Sequence, residues 1–294
     1  MSASLQINSY AKINWTLDVL FKREDGYHEL RTIYQTVSLH DKLRFSETSG
    51  AIKIHCDDSR VPCDGTNLAH KAAMALREAT NTSKGVRIEI EKRIPVAAGL
   101  GGGSSNAAVT ILALIKLWQI EIDESALIRI AASLGSDVPF FLIGGTALGV
   151  GRGEEVYPIE EARCDDLLLV NPGFAVPTRE AYEKLSRLTM PEAASIIPFS
   201  LMAVKGIREL PLAARNDLEE PVLAAYPEIA EVKRRLLSLD ATHALMSGSG
   251  ATVFGVFDNS QVAGQALSEM RASGYWAECV RTVGRQEYHA TIFQ

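Results

Sequence analysis

With 294 residues, 47% of them hydrophobic, the chain exceeds the usual single core and buries roughly three quarters of its unfolded surface, so two domains are expected without disulfide staples. A formal net charge of −6 argues against nucleic acid as the main partner, because duplex binding leaves a basic surface. No run reaches the ~18 apolar residues of a membrane span, and the opening "MSASLQINSYAKINW" has no basic segment followed by an apolar one, so a cytoplasmic protein with no membrane partner is expected.

Alternating apolar positions predict half-buried strands over 5–7, 13–17, 33–39, 52–54 and 86–90. Helical spacing takes over at 67–79, 104–118 and 123–134, the last with Asp123 as N-cap and Gly135 as stop. Strand, strand, helix, strand, loop, helix, helix suggests an α+β domain whose helices lie on one side of a mixed sheet. A polar stretch over 160–166 then precedes a short apolar strand over 167–170, ended by Asn171-Pro172-Gly173. We read this as the boundary between residues 1–158 and 159–294. The second block has helices over 178–188, 227–239 and 261–272, and strands over 244–246, 253–257 and 277–280. Cys56, Cys63, Cys164 and Cys279 form no CxxC pair and no zinc-spaced group, which fits a reduced compartment.

The stretch "IPVAAGLGGGSSNAAVTILAL" sets a glycine-rich loop directly before an apolar helix. It is no Walker A loop, for no lysine follows Gly103; nor is it a dinucleotide fingerprint, for Ser104 stands where the third glycine belongs. The physics beneath those motifs still applies. Gly99, Gly101, Gly102 and Gly103 let the backbone approach a ligand, and a helix starting near Ser104 aims unpaired N–H groups at it, which favours phosphate. Ser104 or Ser105 is expected to cap the helix while the other hydroxyl contacts phosphate or Mg²⁺.

"SYAKINWTL" puts Lys12 and Asn14 on one face of a strand, with Ile13 and Trp15 on the other. "SLGSDVPFF" places Asp137 just past a helix end, and "MSGSGATVFGVF" sets a glycine turn between two apolar strands, able to approach the phosphates from the opposite side. A loop for a triphosphate, an acid to accept a hydroxyl proton and a lysine to neutralise charge make an inventory for phosphoryl transfer.

In this serial order the four motifs resemble those of the GHMP kinase superfamily, named for galactokinase and the homoserine, mevalonate and phosphomevalonate kinases. The resemblance implies a two-domain α+β fold: an N-terminal mixed-sheet domain with helices, a C-terminal α+β domain, and the active site in the cleft between them. It implies ATP and Mg²⁺ as cofactors. "AKINWTLDVLFKREDGYHELRTIYQTVSLHD", with "TNLAHKA", "GRGEEV", "VPTREAY" and "RNDLE", is similar to the branch that phosphorylates the 2-hydroxyl of a cytidine diphosphate ester in the non-mevalonate route to isoprenoid precursors.

Carried over, the resemblance makes Asp137 the general base and Lys12 its catalytic partner. The nucleotide loop becomes Pro95, Val96, Ala97, Ala98, Gly99, Leu100, Gly101, Gly102, Gly103, Ser104 and Ser105, with Asn67 near the adenosine. Tyr27 and His28 become the cytosine site, with Tyr182 on the other face of the base, and Asn14 and Thr178 contact polar groups of the substrate. A homoserine or mevalonate kinase would have no use for the cytosine clamp in "DGYHEL". A non-catalytic nucleotide-binding protein would lack the acid or the lysine. Either a monomer or a homodimer is compatible with all of this.

Overall fold

The computed structural model describes residues 4–185 and 214–292. The first two predicted strands are one ribbon, β1 (Ser4–Lys22), paired antiparallel with the long β2 (His28–Thr48). Its apolar alternation breaks because the register shifts at Tyr10/Ala11, Asn14/Thr16 and Val19/Phe21, and each irregularity bends the strand and re-aims its side chains. Ile7 and Tyr10 therefore enter one core, Ala11, Ile13 and Trp15 a second, and Leu17 and Val19 a third.

Among the described residues, β3 (Ile52–Cys56), β4 (Gly85–Glu91), β5 (Thr146–Gly151), β6 (Glu155–Pro158) and the two-residue β8 (Arg215–Asn216) complete a mixed sheet in the order β3-β4-β2-β1-β8. β5 pairs with the N-terminal half of β2, and β6 with β5. β5 escaped prediction because Gly149 and Gly151 stand where alternating side chains would have signalled it, and β6 because it has only four residues. The first core, with Leu43, Phe45 and Ile88 from the sheet, is packed by α1 (Leu68–Ala79), α2 (Gly102–Trp118), α3 (Glu124–Leu134) and the short α4 (Phe140–Ile143). α2 is buried on nearly every side. Asp123 caps α3 as expected, accepting from the Ala126 amide at 2.8 Å.

A second, antiparallel sheet has the order β11-β7-β10-β9, from β7 (Leu167–Asn171), β9 (His243–Met246), β10 (Val253–Val256) and β11 (Trp276–Val280). β7 reads as a continuous apolar run because its alternate residues serve two cores: Leu168 and Val170 one, Leu167 and Leu169 the other. Its helices among the described residues are α5 (Thr178–Lys184), α6 (Glu219–Ala225), α7 (Pro227–Ser238) and α8 (Ser260–Ala272). Residues 186–188 of the helix predicted over 178–188 lie outside the described residues.

The layers meet along β1, where Trp15 packs edge-on against Phe254 at 5.5 Å between ring centroids. β8 joins the first sheet, pairing with β1 at Thr16 and Leu17. The last helix, α9 (Arg285–Ile292), also returns to the first layer, where Tyr10 and Thr291 share a hydrogen bond of 2.7 Å. All four cysteines are free thiols. Among the described residues no helix is long and apolar enough to cross a membrane.

Candidate active site

Between the layers lies a cleft of about 1370 Å³, floored by the middle of β1. The bend in that strand turns Lys12 and Asn14 toward the cleft while Ile13 and Trp15 are held in the core. Lys12, only 4% exposed, donates from Nζ to Asn14 Oδ1 at 2.7 Å. Asn14 Nδ2 donates to Thr32 Oγ1 at 2.7 Å, and Thr32 in turn to the carbonyl of Thr16 at 2.6 Å. Burying an ammonium strips its hydration, which neighbouring polar or charged groups must replace. Asp137 does so: its Oδ2 stands 3.6 Å from Lys12 Nζ, and its side chain is 30% exposed to the cleft.

Asp137 owes its place to a tight turn between α3 and α4, closed by the Val138 amide on the Gly135 carbonyl at 3.1 Å. Val138, Phe140 and Phe141 are fully buried and pin the turn, so its polar side chains, Ser136 and Asp137, face the cleft.

The glycine loop forms the wall beside this pair. Gly99 and Gly101 adopt φ of 78° and 69°, the left-handed region open to glycine at little cost. The expected serine cap is corrected here: α2 begins at Gly102, its N-cap is Gly101, and no side chain caps it. The left-handed Gly101 lets the Ser105 amide close the first turn on the Gly101 carbonyl at 2.8 Å, with the cap three residues ahead of the first serine. Amides of that first turn have no partner within the helix and favour an anion at its end. Ser105 is fully buried, taking a hydrogen bond from Ser9 at 2.7 Å, whereas Ser104 lines the cleft.

Pro95, Val96, Ala97, Ala98, Gly99, Gly101, Gly102 and Gly103 line the cleft. Leu100 instead sits in the core, its carbonyl accepting from the Lys12 amide at 3.0 Å. Asn67 lines the far end of this wall, but it also caps α1, accepting from the Ala69 amide at 2.8 Å and donating to the Pro62 carbonyl at 2.7 Å. The turn over 247–250 braces the loop: Ser247 Oγ donates to the Gly99 carbonyl at 3.1 Å, and any Cβ on Gly99 would collide with the Ser247 carbonyl.

The opposite wall is aromatic. Tyr27 is 55% exposed, with the Arg152 guanidinium 4.8 Å above its ring. His28 stacks on Tyr182 at 5.2 Å with 21° between the planes, so the ring facing Tyr182 is that of His28. Burial, then Lys22, pushes the His28 imidazole below its ordinary value, while burial and the charge of Asp137 raise the Tyr182 phenol. Thr178, the first residue of α5, shares a hydrogen bond of 3.1 Å with Ser249 and also lines the cleft. Among the described residues no group of three His, Cys, Asp or Glu side chains is placed to hold a metal ion.

Residues 67–145 match the family described as GHMP kinases N terminal domain, and residues 203–275 the one described as GHMP kinases C terminal. A 4-diphosphocytidyl-2-C-methyl-D-erythritol kinase of Syntrophus aciditrophicus is 42% identical over 95% of this chain and 99% of its own length. That of Geobacter sulfurreducens is 41% identical over the same shares. The chain belongs to the 4-diphosphocytidyl-2-C-methyl-D-erythritol kinase family. A crystal structure of 4-(cytidine 5'-diphospho)-2C-methyl-D-erythritol kinase superposes with a TM-score of 0.77 at 38% identity, covering 95% of this chain and 100% of that one. Homoserine kinase from Cytophaga hutchinsonii, at a TM-score of 0.74 but 16% identity over 97% and 96% of the chains, shares the fold.

Within this family member, the sequence reading passed over Tyr34, Lys92 and Arg152, all of which line the cleft. Lys92 forms a buried pair with Asp41 at 2.9 Å, and Asp41 also accepts the Arg93 and Ile94 amides at 2.8 Å, tying down the entrance to the glycine loop. No spacing distinguishes such a lysine from a surface one; only the fold brings residue 41 to residue 92.

Proposed function

We propose that this chain phosphorylates the 2-hydroxyl of 4-diphosphocytidyl-2-C-methyl-D-erythritol with the γ-phosphoryl of ATP, in the non-mevalonate route to isoprenoid precursors. The observation that carries the proposal is the Lys12–Asp137 pair, 3.6 Å apart on the cleft floor between a phosphate-type loop and an aromatic wall. Asp137 orients the acceptor hydroxyl and takes its proton, which passes to the carboxylate as the oxygen bonds to phosphorus and the bond to ADP breaks. Lys12 contributes through position and through the negative charge it offsets during transfer.

The triphosphate lies along Pro95–Ser104 against the first turn of α2, with the adenosine toward Asn67. Ser104, at that turn, fits Mg²⁺ together with phosphate oxygens, and Ser105 does not, because its hydroxyl is buried on Ser9. When bound, the ion neutralises charge on the phosphates. Cytosine packs against Tyr27 and Tyr182, with His28 reading its edge, and Asn14 and Thr178 meet the polar groups of the acceptor. The His28–Tyr182 stack then opens as the base enters. We assign residues 1–158 and 159–294 to the N-terminal and C-terminal domains, with β8 and α9 crossing back to the first layer, and place the enzyme in the cytoplasm.

A coupled ADP-release assay with ATP and Mg²⁺ tests the proposal. Turnover is expected with the cytidine diphosphate substrate and not with homoserine or mevalonate; release only with the latter two overturns it.

A further inference from the structure

Tyr34 stands on β2 across from Asn14, buried, with its hydroxyl donating to Asp137 Oδ1 at 3.0 Å. We propose that Tyr34 is a positioning residue for phosphoryl transfer, holding the Asp137 carboxylate with its second oxygen turned to Lys12 and the cleft. This rests on Asp137 being the group that receives the acceptor hydroxyl.

The ring grips the Asp137 turn at two points. Besides the hydrogen bond, it stacks on Phe140, three residues along, at 4.8 Å and 29° between planes. Lys12 Nζ lies 5.8 Å from the same ring centroid, so one side chain touches both members of the pair. Tyr34 has a single hydroxyl proton. Asp137 takes it in preference to the Gly153 carbonyl, 3.3 Å away, because a charged acceptor at shorter range binds more strongly. Burial, and then the charge of Asp137, push the phenol well above its ordinary value, so it remains a donor at any working pH.

The room for this ring is cut by glycine. A Cβ on Gly149 would stand 2.5 Å from Tyr34 Cε2, and one on Gly153 would fall on the hydroxyl. Gly153 also sits at φ 98°, which a side chain disfavours. The glycines of "GVGRGEEV", whose Arg152 serves the aromatic wall, are thus the housing of Tyr34. The chemistry gives such a group work. The carboxylate torsion of an aspartate is broad and nearly two-fold, and a loose metaphosphate-like transition state asks more of the acceptor's geometry than of its base's strength.

Tyr34→Phe keeps the ring and its stack while deleting the hydroxyl. Its kcat is expected to fall about 10-fold or more, the usual effect of losing a hydrogen bond to a charged group, with KM for ATP and for the cytidine substrate within about twofold. In an Asp137→Asn background the same change should cost less than about twofold further, because the two groups act as one unit. A wild-type kcat in Tyr34→Phe, a rise in KM alone, or losses that multiply in the double variant would each overturn the role. Full turnover in Asp137→Asn removes the base assignment and this inference with it. A crippled Asp137→Asn beside an intact Tyr34→Phe removes only the inference.

Discussion

The wall over residues 95–104 presents main chain to the cleft, whereas the wall of Tyr27, His28 and Tyr182 presents rings. The first is braced from behind: Ser247 bonds the Gly99 carbonyl, the Asp41–Lys92 pair holds the loop entrance, and α2 is buried around most of its surface. The second is half open, with Tyr27 more than half exposed and His28 already stacked on its own neighbour. A phosphate needs fixed amides that pay no reorganisation, while a base needs a π-face that can close on it. Rigidity is therefore invested where charge develops, and adjustability where identity is checked.

Between the walls, Asp137→Asn is expected to have the largest effect, lowering kcat by about 10² or more with little change in KM for ATP; steady-state kinetics with intact turnover would leave both walls without a shared reaction. Gly99→Ala tests the rigid wall. Its Cβ would meet the Ser247 carbonyl, and φ at this position is 78°. Strain of about 1–3 kcal/mol should appear as a lowered melting temperature and a KM for ATP raised about tenfold, with the cytidine substrate's KM changed far less.

Tyr27→Ala tests the adjustable wall. Stacking worth about 1–3 kcal/mol predicts a KM for the cytidine substrate raised about tenfold. KM for ATP and thermal stability should hold, since the ring is largely exposed. If Gly99→Ala and Tyr27→Ala shift both KM values alike, the walls are not separate devices.

The smallest effect concerns His28, whose imidazole is held below its ordinary value by burial and then by Lys22. The unfolded chain takes up a proton that the folded one resists. Stability from this group is therefore present above a pH of about 6.5 and lost as the pH falls through that range. His28→Gln should make the melting temperature slightly less sensitive to acidification from pH 7 to pH 5.5, and an unchanged slope would show that His28 does not contribute to the pH dependence of stability.

How much of this was legible in the residues depends on the range of the interaction. The helices over 68–79, 102–118 and 124–134, the strands of the second sheet and the glycine loop were readable, because periodicity, caps and left-handed glycines act within one turn or one strand. The start of α2 was misread by two residues, since a left-handed Gly101 replaces the side-chain cap that "GGGSS" suggests. β5 was missed because its Gly149 makes room for Tyr34, a residue more than a hundred positions away, and β6 because it is only four residues long.

The sequence by itself determined the class of fold, the phosphate-type loop and a short roster of polar side chains, because backbone conformation and helix-end chemistry are local properties. Only the tertiary structure decided which of those side chains meet. It bent β1 at its register shifts to turn Lys12 into the cleft, carried Asp137 to it from a turn 125 positions later, and set Tyr34 against the carboxylate. Those meetings depend on sheet register and helix packing, which bring residues distant in sequence within a few ångströms.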